Sequence, residues 1–422
     1  MKSAIPKHLH PLLGRRLVDW VIEAVRPLGA EPLVVVVSAD AASEFEGVAV
    51  AVQPEPLGTG DAARAARGAV GGAETVLVVS GDHPLLTPTV LRSLVDQHRS
   101  ENAAATVLSF EPGDARAYGR IVRDADGALE AIVEAADASE QQLAVREVNS
   151  SIYVFDAAKL WPALDRLQPV NAQGELYLTD AIEHIVAGGG RAAAYVCPDP
   201  IAPLGINTRA ELATAAAVLR DRVNEAHMLA GVTIVDPAST WIEAGVELEA
   251  DTVVHPFTVL RGTTKIAAGA EIGPHTVLLD AVVGPGASVG PFCYLRPGTV
   301  LEAGARAGTF VEIKESRIGE RSRVPHLSYV GDAEIGEDTN IAAGAITANY
   351  RPEVGPGKQR TKIGRNVRTG SDNVFVAPVE IGDNAVVGAG SVVTEDVPPG
   401  ALAIARARQV NKENYARGKR DD

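Results

Sequence analysis

The sequence predicts a two-domain protein in which an α/β domain with a Rossmann-like sheet precedes a left-handed parallel β-helix. Two observations carry this prediction. The first half alternates helical stripes with unbroken apolar runs, which is typical of an α/β sheet. The second half repeats apolar residues at every sixth position. Because that period fits neither an α-helix nor a simple β-strand, it indicates a solenoid.

Length, charge and cysteine usage narrow the class of protein. With 422 residues the chain is too long for one core and is expected to form two or three domains. The formal net charge of −15 argues against nucleic acid or anionic membrane as a partner. No apolar run reaches the roughly 18 residues of a membrane-spanning helix. The only two cysteines, Cys197 and Cys293, fall in different predicted domains, so we expect no disulfide between them. This favours a protein of the reducing cytoplasm.

Residues 1–210 form the predicted α/β domain. A helical stripe runs from Leu17 to Leu28, and apolar runs at 33–37 and 75–79 predict two strands. Because these runs do not alternate with polar residues, we expect both strands to be buried on both faces of a parallel sheet. Residues 211–230 read as one long linker helix.

Residues 231–422 form the predicted β-helix with a charged C-terminal tail. One register of the six-residue repeat contains Ile242, Leu248, Val254, Leu260, Ile266, Ile272 and Leu278, and it continues from Val283 after a slip of one residue. Three six-residue sides give a coil of about 18 residues, so roughly nine or ten coils fit. Strands of successive coils then stack in parallel about 4.8 Å apart.

Residues 296–350 hold the densest group of chemically active side chains. Arg296 and Lys314 are one predicted coil apart, as are Asp332 and Tyr350. Residues one coil apart lie one above the other on the same side of a solenoid. We therefore expect Arg296 and Lys314 to face one groove, where both could bind the phosphate of a hexosamine phosphate.

At these residues the chain resembles the bifunctional bacterial N-acetylglucosamine-1-phosphate uridyltransferase/glucosamine-1-phosphate acetyltransferase family. The motifs are Tyr-Leu-Arg-Pro-Gly at 294–298, Val-Pro-His-Leu-Ser-Tyr at 324–329 and Thr-Ala-Asn-Tyr at 347–350, and the resemblance covers essentially the whole chain. It implies that His326 is the general base, that Arg296 and Lys314 bind the sugar phosphate, and that Tyr329, Asn340 and Asn349 contact the sugar. The implied acetyl-CoA positions are Ala343, Asn349, Tyr350, Ser371, Ala389 and Arg406.

Three departures from the family pattern concern acetyl-CoA binding. Ala342 stands where the family has a glycine, and the loop 351–357 is longer and differently charged. Arg360 stands where a family lysine is expected. These changes bear on how coenzyme A is held and leave the predicted reaction unchanged.

The first domain carries motifs that are weaker when taken singly. The segment Gly58-Thr59-Gly60 fits either a close approach to a nucleotide or an ordinary turn. Asp82, at the end of a strand, fits either a ligand position or a helix cap. The resemblance implies that Asp82 and Asn207 bind Mg²⁺, and that UTP is the co-substrate. The implied UDP-sugar positions are Lys7, Gln53, Gly58, Thr59, Ser80, Gly81, Asp82, Gly119, Glu134, Asn149 and Asn207.

The family begins with a strand and a Leu-x-x-Gly-x-Gly-Thr-Arg-Met loop before the segment that matches Ile5-Pro6-Lys7. Here Met1 aligns with the methionine that ends the loop. We therefore expect impaired uridylyl transfer in the chain as given. A miscalled start codon and a decayed domain both explain the difference, and the alignment of Met1 favours the first.

The sequence as a whole predicts a cytoplasmic enzyme of UDP-N-acetylglucosamine synthesis for cell-wall precursors. It would act on glucosamine 1-phosphate, acetyl-CoA and UTP, with Mg²⁺, as a homotrimer. Two alternatives remain: a single-function sugar nucleotidyltransferase with a structural β-helix, and a non-catalytic nucleotidyltransferase-like scaffold. Neither alternative gives a reason for Arg296, Lys314, His326 and Tyr329 to occur together.

Overall fold

A computed structural model describes residues 1–45, 47–115, 118–413 and 415 of the chain. The chain divides into two compact units, Met1–Val218 and Leu219–Asp422. The first is an α/β unit and the second is a left-handed parallel β-helix, which confirms the predicted fold class. Among the described residues, none of the helices is long and apolar enough to cross a membrane.

The helices of the first unit alternate with its strands. The α-helices are α1 (Leu17–Val25), α2 (Thr59–Ala65), α3 (Arg67–Val70), α4 (Pro88–Ser100), α5 (Glu140–Leu143), α6 (Ala157–Leu164), α7 (Leu178–Ala187) and α8 (Arg209–Leu229), which continues into the second unit. Short 3₁₀ turns span Lys7–Leu9, Arg26–Leu28 and Ala39–Glu44. The strands are β1 (Pro11–Leu12), β2 (Arg15–Arg16), β3 (Val34–Val37), β4 (Ala49–Val52), β5 (Thr75–Val79), β6 (Ala105–Phe110), β7 (Arg120–Arg123), β8 (Leu129–Val133), β9 (Val148–Asp156) and β10 (Ala192–Val196).

The main sheet of the first unit is mixed, in the order β10-β6-β9-β7-β8, and β5 pairs with the other edge of β9. Strand β6 lies between the parallel β10 and the antiparallel β9, and all its residues are buried. Leu91 and Leu94 of α4 pack on one side of the sheet, and Ile182 and Ile185 of α7 pack on the other. The core of this unit therefore lies on both sides of β6 and β9.

Both apolar runs form strands, but their expected place in a single parallel sheet is wrong. Within the described residues, β3 pairs only with β4, in a separate parallel sheet, and three of its four valines are half-buried. Strand β5 runs antiparallel to β9, and Thr75 at its start is exposed. An apolar run identifies a strand from local preference, whereas its partner and direction depend on the chain connections.

The second unit has three faces, which we number I, II and III. Face I comprises Thr233–Ile234, Val253–Val254, Glu271–Ile272, Ser288–Val289, Arg306–Thr309, Arg323–His326, Arg368–Thr369, Val386–Val387 and Leu402–Ala403. Face II comprises Trp241–Ile242, Val259–Arg261, Val277–Leu279, Tyr294–Leu295, Glu312–Lys314, Tyr329–Gly331, Ile346–Ala348, Val374–Val376 and Val392–Val393. Face III comprises Glu247–Leu248, Lys265–Ile266, Val282–Val283, Val300–Leu301, Arg317–Ile318, Ala333–Ile335, Thr361–Ile363 and Val379–Ile381.

The six-residue repeat fills the interior of the β-helix. Ile242, Leu260 and Leu278 are register partners on successive coils, and all are completely buried. Coil length varies: Leu278 pairs with Leu295, 17 residues later, and Leu295 pairs with Ile313, 18 residues later. The shorter coil absorbs the predicted one-residue slip before Val283. Stacked aliphatic side chains thus form one continuous core.

Gly308 shows how closely successive coils approach. Thr309 pairs with His326 on the next coil, and a methyl group added to Gly308 would overlap the main-chain carbonyl of Pro325. Glycine is therefore required here by the packing of main chain on main chain.

We predict that Gly308→Ala destabilises the β-helix by about 2–3 kcal/mol, because backbone atoms cannot move aside for the new methyl group. Thermal unfolding followed by circular dichroism measures the effect. Gly355→Ala is the control, since the nearest atom to its new methyl group is Gln359 Nε2 at 3.9 Å. Equal melting of the two variants would contradict the prediction.

Candidate functional site

The edge between faces I and II carries one column of candidate residues, which we call the I/II edge. Thr309 and His326 are register partners. Further along the column, the Asp372 amide donates to the carbonyl of Ala343 (2.8 Å), and the Gly390 amide donates to the carbonyl of Ser371 (2.8 Å). Ala343, Ser371 and Ala389 have small side chains, so this part of the edge is smooth.

His326 lies in the middle of this column with an exposed side chain. The Ser328 hydroxyl donates to the carbonyl of His326 (2.7 Å) and fixes the main chain at the turn. Within the described residues, no protein group hydrogen-bonds to the imidazole. Both ring nitrogens are therefore open to a bound molecule.

Face II carries two cations on successive coils, at the end of its strands that leads to face III. Leu295 and Ile313 are register partners, so Arg296 and Lys314 lie side by side on successive coils. Arg296 Nη1 donates to Glu312 Oε1 at 2.8 Å, and this hydrogen bond raises the pKa of the guanidinium above its ordinary value. The pair is only partly shielded from solvent, so an incoming phosphate could replace the carboxylate.

Lys358 is a residue that the sequence analysis missed. It contacts Lys314 closely enough to lower the pKa of that amine below its ordinary value, and its Nζ is 3.9 Å from Asp332 Oδ2. Arg360, which the sequence analysis singled out, is exposed. The loop after Tyr350 returns to the coil through a bridge between Tyr350 and Lys358. The regular coil resumes at Thr361, so Lys358 lies at the end of the loop that returns to it. Counting back from Thr361 along the sequence would have identified Lys358.

Tyr329 and Asn349 form the polar floor next to the cations. Asn349 Nδ2 donates to Tyr329 Oη (3.3 Å) and to Asp332 Oδ2. These side chains fill the space above Gly331, where a methyl group would overlap the Tyr329 hydroxyl. Tyr329 and Asn349 are thereby held in one orientation.

The expectation that Asp332 and Tyr350 lie one coil apart is wrong by one residue. Tyr329 pairs with Ile346, 17 residues later, so Asn349 lies above Asp332. Tyr350 instead lies at the start of the long loop, with 72% of its surface exposed. This coil is one residue shorter than the expected 18, which shifts every later position. No local sequence signal marks the shorter coil.

Asn340 lies apart from these groups within one chain. It bridges Arg323 and Arg368 on face I, and its side chain is half-buried. Tyr329 and Lys314 are on face II, and two faces of a prism point in different directions. Arg406 lies at the far end of the I/II edge, where its Cδ is 3.7 Å from a methyl group placed on Gly390.

In the first unit, Lys7 lies between Asp82 and Asn207. Lys7 Nζ donates to Asn207 Oδ1 (2.8 Å) and forms an ion pair with Asp82 Oδ2. The Ile206 amide donates to the Asp82 carbonyl (3.0 Å), which brings Asn207 to the end of β5. Burial alone would raise the pKa of Asp82, but neighbouring His83 and Lys7 hold it well below its usual range.

The chemistry of these two oxygen ligands fits Mg²⁺. Asp82 Oδ2 and Asn207 Oδ1 converge on one cationic atom, the Lys7 ammonium. Hard oxygen donors are what Mg²⁺ prefers, and it commonly takes one or two protein ligands and completes its shell with water and substrate phosphates. Consistent with so sparse a set, the described residues contain no group of three or more His, Cys, Asp or Glu side chains able to hold a metal.

Gly119, Glu134 and Asn149 form a second group in the first unit. The Asn149 amide donates to the Gly119 carbonyl (2.9 Å), and a methyl group on Gly119 would lie 3.2 Å from Glu134 Oε2. Burial raises the pKa of Glu134. Thr179, which the sequence analysis did not name, donates to Glu134 Oε1 at 3.4 Å. Three predicted sugar-binding positions are therefore adjacent.

The Gly58-Thr59-Gly60 segment is tied to the chain before α7. The Gly60 amide donates to the Leu176 carbonyl (2.8 Å), and Thr59 Oγ1 accepts from the Leu178 amide (3.0 Å). Gly58 has φ +119°, and a methyl group there would lie 2.6 Å from the Leu176 carbonyl. Packing thus explains both glycines.

Three more predicted positions have local partners. Gln53 donates to Asp61 Oδ2 (2.9 Å) and to the Gly58 carbonyl (3.2 Å). Ser80 Oγ donates to the Ser151 carbonyl (3.2 Å). Gly81 lies against Val18 of α1, where a methyl group would be 3.4 Å from Val18 Cγ2.

Comparisons with known proteins agree with both halves of this description. Residues 1–184 match the family model of the MobA-like NTP transferase domain, and residues 360–395 match the model of the bacterial transferase hexapeptide, six repeats. The chain is 49% identical over 446 residues to the bifunctional protein GlmU of Streptomyces coelicolor, covering 100% of this chain and 92% of that protein. It is 48% identical over 449 residues to the bifunctional protein GlmU of Mycolicibacterium vanbaalenii, covering 100% and 91%.

The identity extends over the full chain. The first unit also matches a nucleotidyltransferase family model, and the second matches a hexapeptide family model. The chain belongs to the bifunctional GlmU family.

Proposed function

We propose that the protein acetylates glucosamine 1-phosphate with acetyl-CoA and transfers a uridylyl group from UTP to N-acetylglucosamine 1-phosphate. The product is UDP-N-acetylglucosamine for cell-wall precursors, made in the cytoplasm, where acetyl-CoA and UTP are available. The observation that carries the proposal is an open imidazole, His326, at the edge of face II, the face that also carries the stacked cations Arg296 and Lys314. Full-length similarity to bifunctional GlmU proteins supports it.

Acetyl transfer needs a base, an anion site and a place for the thioester. Arg296 and Lys314, with Lys358, attract the sugar phosphate, and Tyr329 and Asn349 contact the sugar. His326 takes a proton from the substrate ammonium, so that the nitrogen lone pair attacks the thioester carbonyl. The new C–N bond forms, the C–S bond breaks, and the thiolate of coenzyme A leaves and is protonated.

Coenzyme A is assigned to the smooth part of the I/II edge beyond His326. Ala343, Ser371 and Ala389 leave room for an extended chain, while Asn349, Tyr350 and Arg406 supply polar contacts at its sides. A thioester bound there places its carbonyl next to the imidazole. Asn340, on face I, is not turned toward Tyr329 within one chain, which favours a neighbouring subunit as a contributor to the site and supports a homotrimer.

Uridylyl transfer is assigned to the first unit. Asp82 and Asn207 would hold Mg²⁺, and Lys7 would turn from these oxygens to a substrate phosphate. Gly119, Glu134 and Asn149 would hold the sugar, with Gln53, Gly58, Thr59, Ser80 and Gly81 lining the nucleotide side. When bound, Mg²⁺ would supply positive charge that neutralises the UTP phosphates. The sugar phosphate oxygen would attack the α-phosphorus of UTP, and pyrophosphate would leave.

We predict that His326→Ala lowers the acetyl-transfer kcat by about 10²–10⁴-fold, because a general base typically contributes that much. Coenzyme A release from acetyl-CoA and glucosamine 1-phosphate measures it. His255→Ala is the matched control, since His255 pairs with Glu271 on an earlier part of the β-helix. A His326→Ala variant at wild-type rate would remove His326 from the chemistry. A wild-type chain without acetyl transfer would favour the single-function alternative.

Arg296→Ala and Lys314→Ala should each raise KM for glucosamine 1-phosphate by about 10-fold or more, because each removes a charge-assisted contact to phosphate. KM for acetyl-CoA should stay near the wild-type value. Lys265→Ala, which removes an exposed lysine from face III, should change neither constant. A rise confined to KM for acetyl-CoA would show that the two roles are misassigned.

Asp82→Asn should weaken Mn²⁺ binding by about 10-fold or more, because it removes the only negative charge from the proposed ligand pair. Electron paramagnetic resonance titration with Mn²⁺ measures binding without requiring turnover. Asp165→Asn, at an exposed ion pair with Arg67, is the control. Equal Mn²⁺ affinity of the two variants would place the metal elsewhere.

A further inference from the structure

His83 is a buried histidine of the first unit that neither proposed reaction uses. It follows Asp82 directly, in the turn after β5, and only 5% of its surface is exposed. A buried ring N–H is expected to have a polar partner, because leaving it without one costs free energy. The polar atom beside His83 Nδ1 is Oδ1 of Asp82, at 2.9 Å.

The two oxygens of the Asp82 carboxylate therefore have different neighbours. Oδ1 lies against the His83 ring, whereas Oδ2 forms the ion pair with Lys7 Nζ. Lys7 Nζ also donates to Asn207 Oδ1 at 2.8 Å, so the Lys7 ammonium lies between the two oxygens that are proposed to bind the metal. A cation in that place meets one oxygen of the carboxylate, because the other oxygen faces His83.

Packing keeps the His83 ring next to this carboxylate. The ring lies against the segment that leads to Asn207, where a methyl group added to Gly205 would be 3.1 Å from His83 Nε2 and 3.2 Å from its Cε1. The main chain ties the same two segments together, since the Ile206 amide donates to the Asp82 carbonyl (3.0 Å). The ring therefore has little room to turn away from Asp82.

The Nδ1 atom of His83 has no second partner. Within the described part of the chain it makes no hydrogen bond to any other group, and its 2.9 Å contact with Asp82 is not aligned as a straight hydrogen bond. A small turn of the carboxylate would align the contact. An imidazole nitrogen as a direct ligand suits softer cations than Mg²⁺, so the role that fits His83 is to orient the carboxylate.

We propose that His83 is a positioning residue for the metal: it holds Oδ1 of Asp82, so that the carboxylate presents only Oδ2 to the cation. The inference rests on the proposed function, in which Asp82 and Asn207 bind Mg²⁺. Presentation of one oxygen suits the compact octahedral shell of Mg²⁺, whereas Ca²⁺ readily takes both oxygens of a carboxylate. His83 therefore raises the affinity for Mg²⁺ and Mn²⁺ and disfavours Ca²⁺. Groups that orient metal ligands in this way typically contribute about 10–100-fold in metal affinity.

The test is the Mn²⁺ affinity of His83→Phe, measured by electron paramagnetic resonance titration of the full chain without substrates. Phenylalanine keeps a ring against Gly205 and removes the donor nitrogen. We expect Kd for Mn²⁺ to rise by about 10-fold or more, and Kd for Ca²⁺, measured by displacement of Mn²⁺, to rise less. His98→Phe is the matched control, since His98 is also 5% exposed and its Nδ1 lies 2.9 Å from Thr106 Oγ1. The control should keep the wild-type Kd for both ions.

Two further variants separate the donor nitrogen from the packing of the ring. His83→Asn places an amide nitrogen at the position of Nδ1 and should restore most of the affinity that His83→Phe loses. His83→Ala removes the ring without adding bulk, so it replaces the phenylalanine variant if circular dichroism shows that variant to be unfolded. A folded His83→Phe or His83→Ala chain with the wild-type Kd for Mn²⁺ would overturn the proposal, as would an asparagine variant as weak as the phenylalanine variant.

The remaining outcomes distinguish this inference from the proposed function. Equal rises of Kd for Mn²⁺ and Ca²⁺ in His83→Phe would refute the selection against Ca²⁺. A loss of Mn²⁺ affinity in Asp82→Asn but not in His83→Phe would refute the role of His83 and leave the proposed metal ligands intact. Unchanged Mn²⁺ affinity in Asp82→Asn would refute the metal assignment, and the role of His83 with it.

Discussion

The main-chain hydrogen bonds between successive coils of the β-helix determine where every other group of the second unit lies. Each strand residue is held over its partner one coil away, as in the pair of Leu295 and Ile313. Side chains at equivalent positions of successive coils therefore form columns, and neighbouring columns point alternately to the interior and to the surface. The aliphatic core, the cation pair and the column through His326 are all consequences of this stacking.

Close contact between backbones limits which residues the columns accept. Gly308 and Gly331 lack side chains because Pro325 and Tyr329 occupy the space above them. The same stacking brings like charges together: Lys358 lies beside Lys314 and lowers the pKa of the Lys314 amine below its ordinary value. A dianionic phosphate bound there would remove this repulsion, so the unfavourable pair is suited to an anionic substrate.

The two units share one electrostatic arrangement, in which a cation is held by carboxylate or amide oxygens at the place assigned to substrate. Arg296 is paired with Glu312 in the second unit, and Lys7 with Asp82 and Asn207 in the first. Such pairs keep the cation oriented in the free protein. A substrate phosphate must displace the carboxylate, so binding exchanges one ion pair for another. The net affinity for the substrate therefore depends on how strongly the displaced carboxylate binds the cation.

The sequence by itself determined the repeat, the two units and the residue types of the site, because apolar periodicity and ordered motifs are local properties of the chain. It predicted Arg296 beside Lys314 from a full coil between them. It misplaced Tyr350 over Asp332, since one residue is missing from that coil, and it passed over Lys358, which a long loop returns to the site. Tertiary structure also decided the pairing of the valine-rich strands. It stacked the rings of four residues along the edge between faces I and II: Phe257, His275, Phe292 and Phe310. These features depend on how separate segments stack. The register of the stack depends on small changes in coil length along the chain, which no single motif reveals.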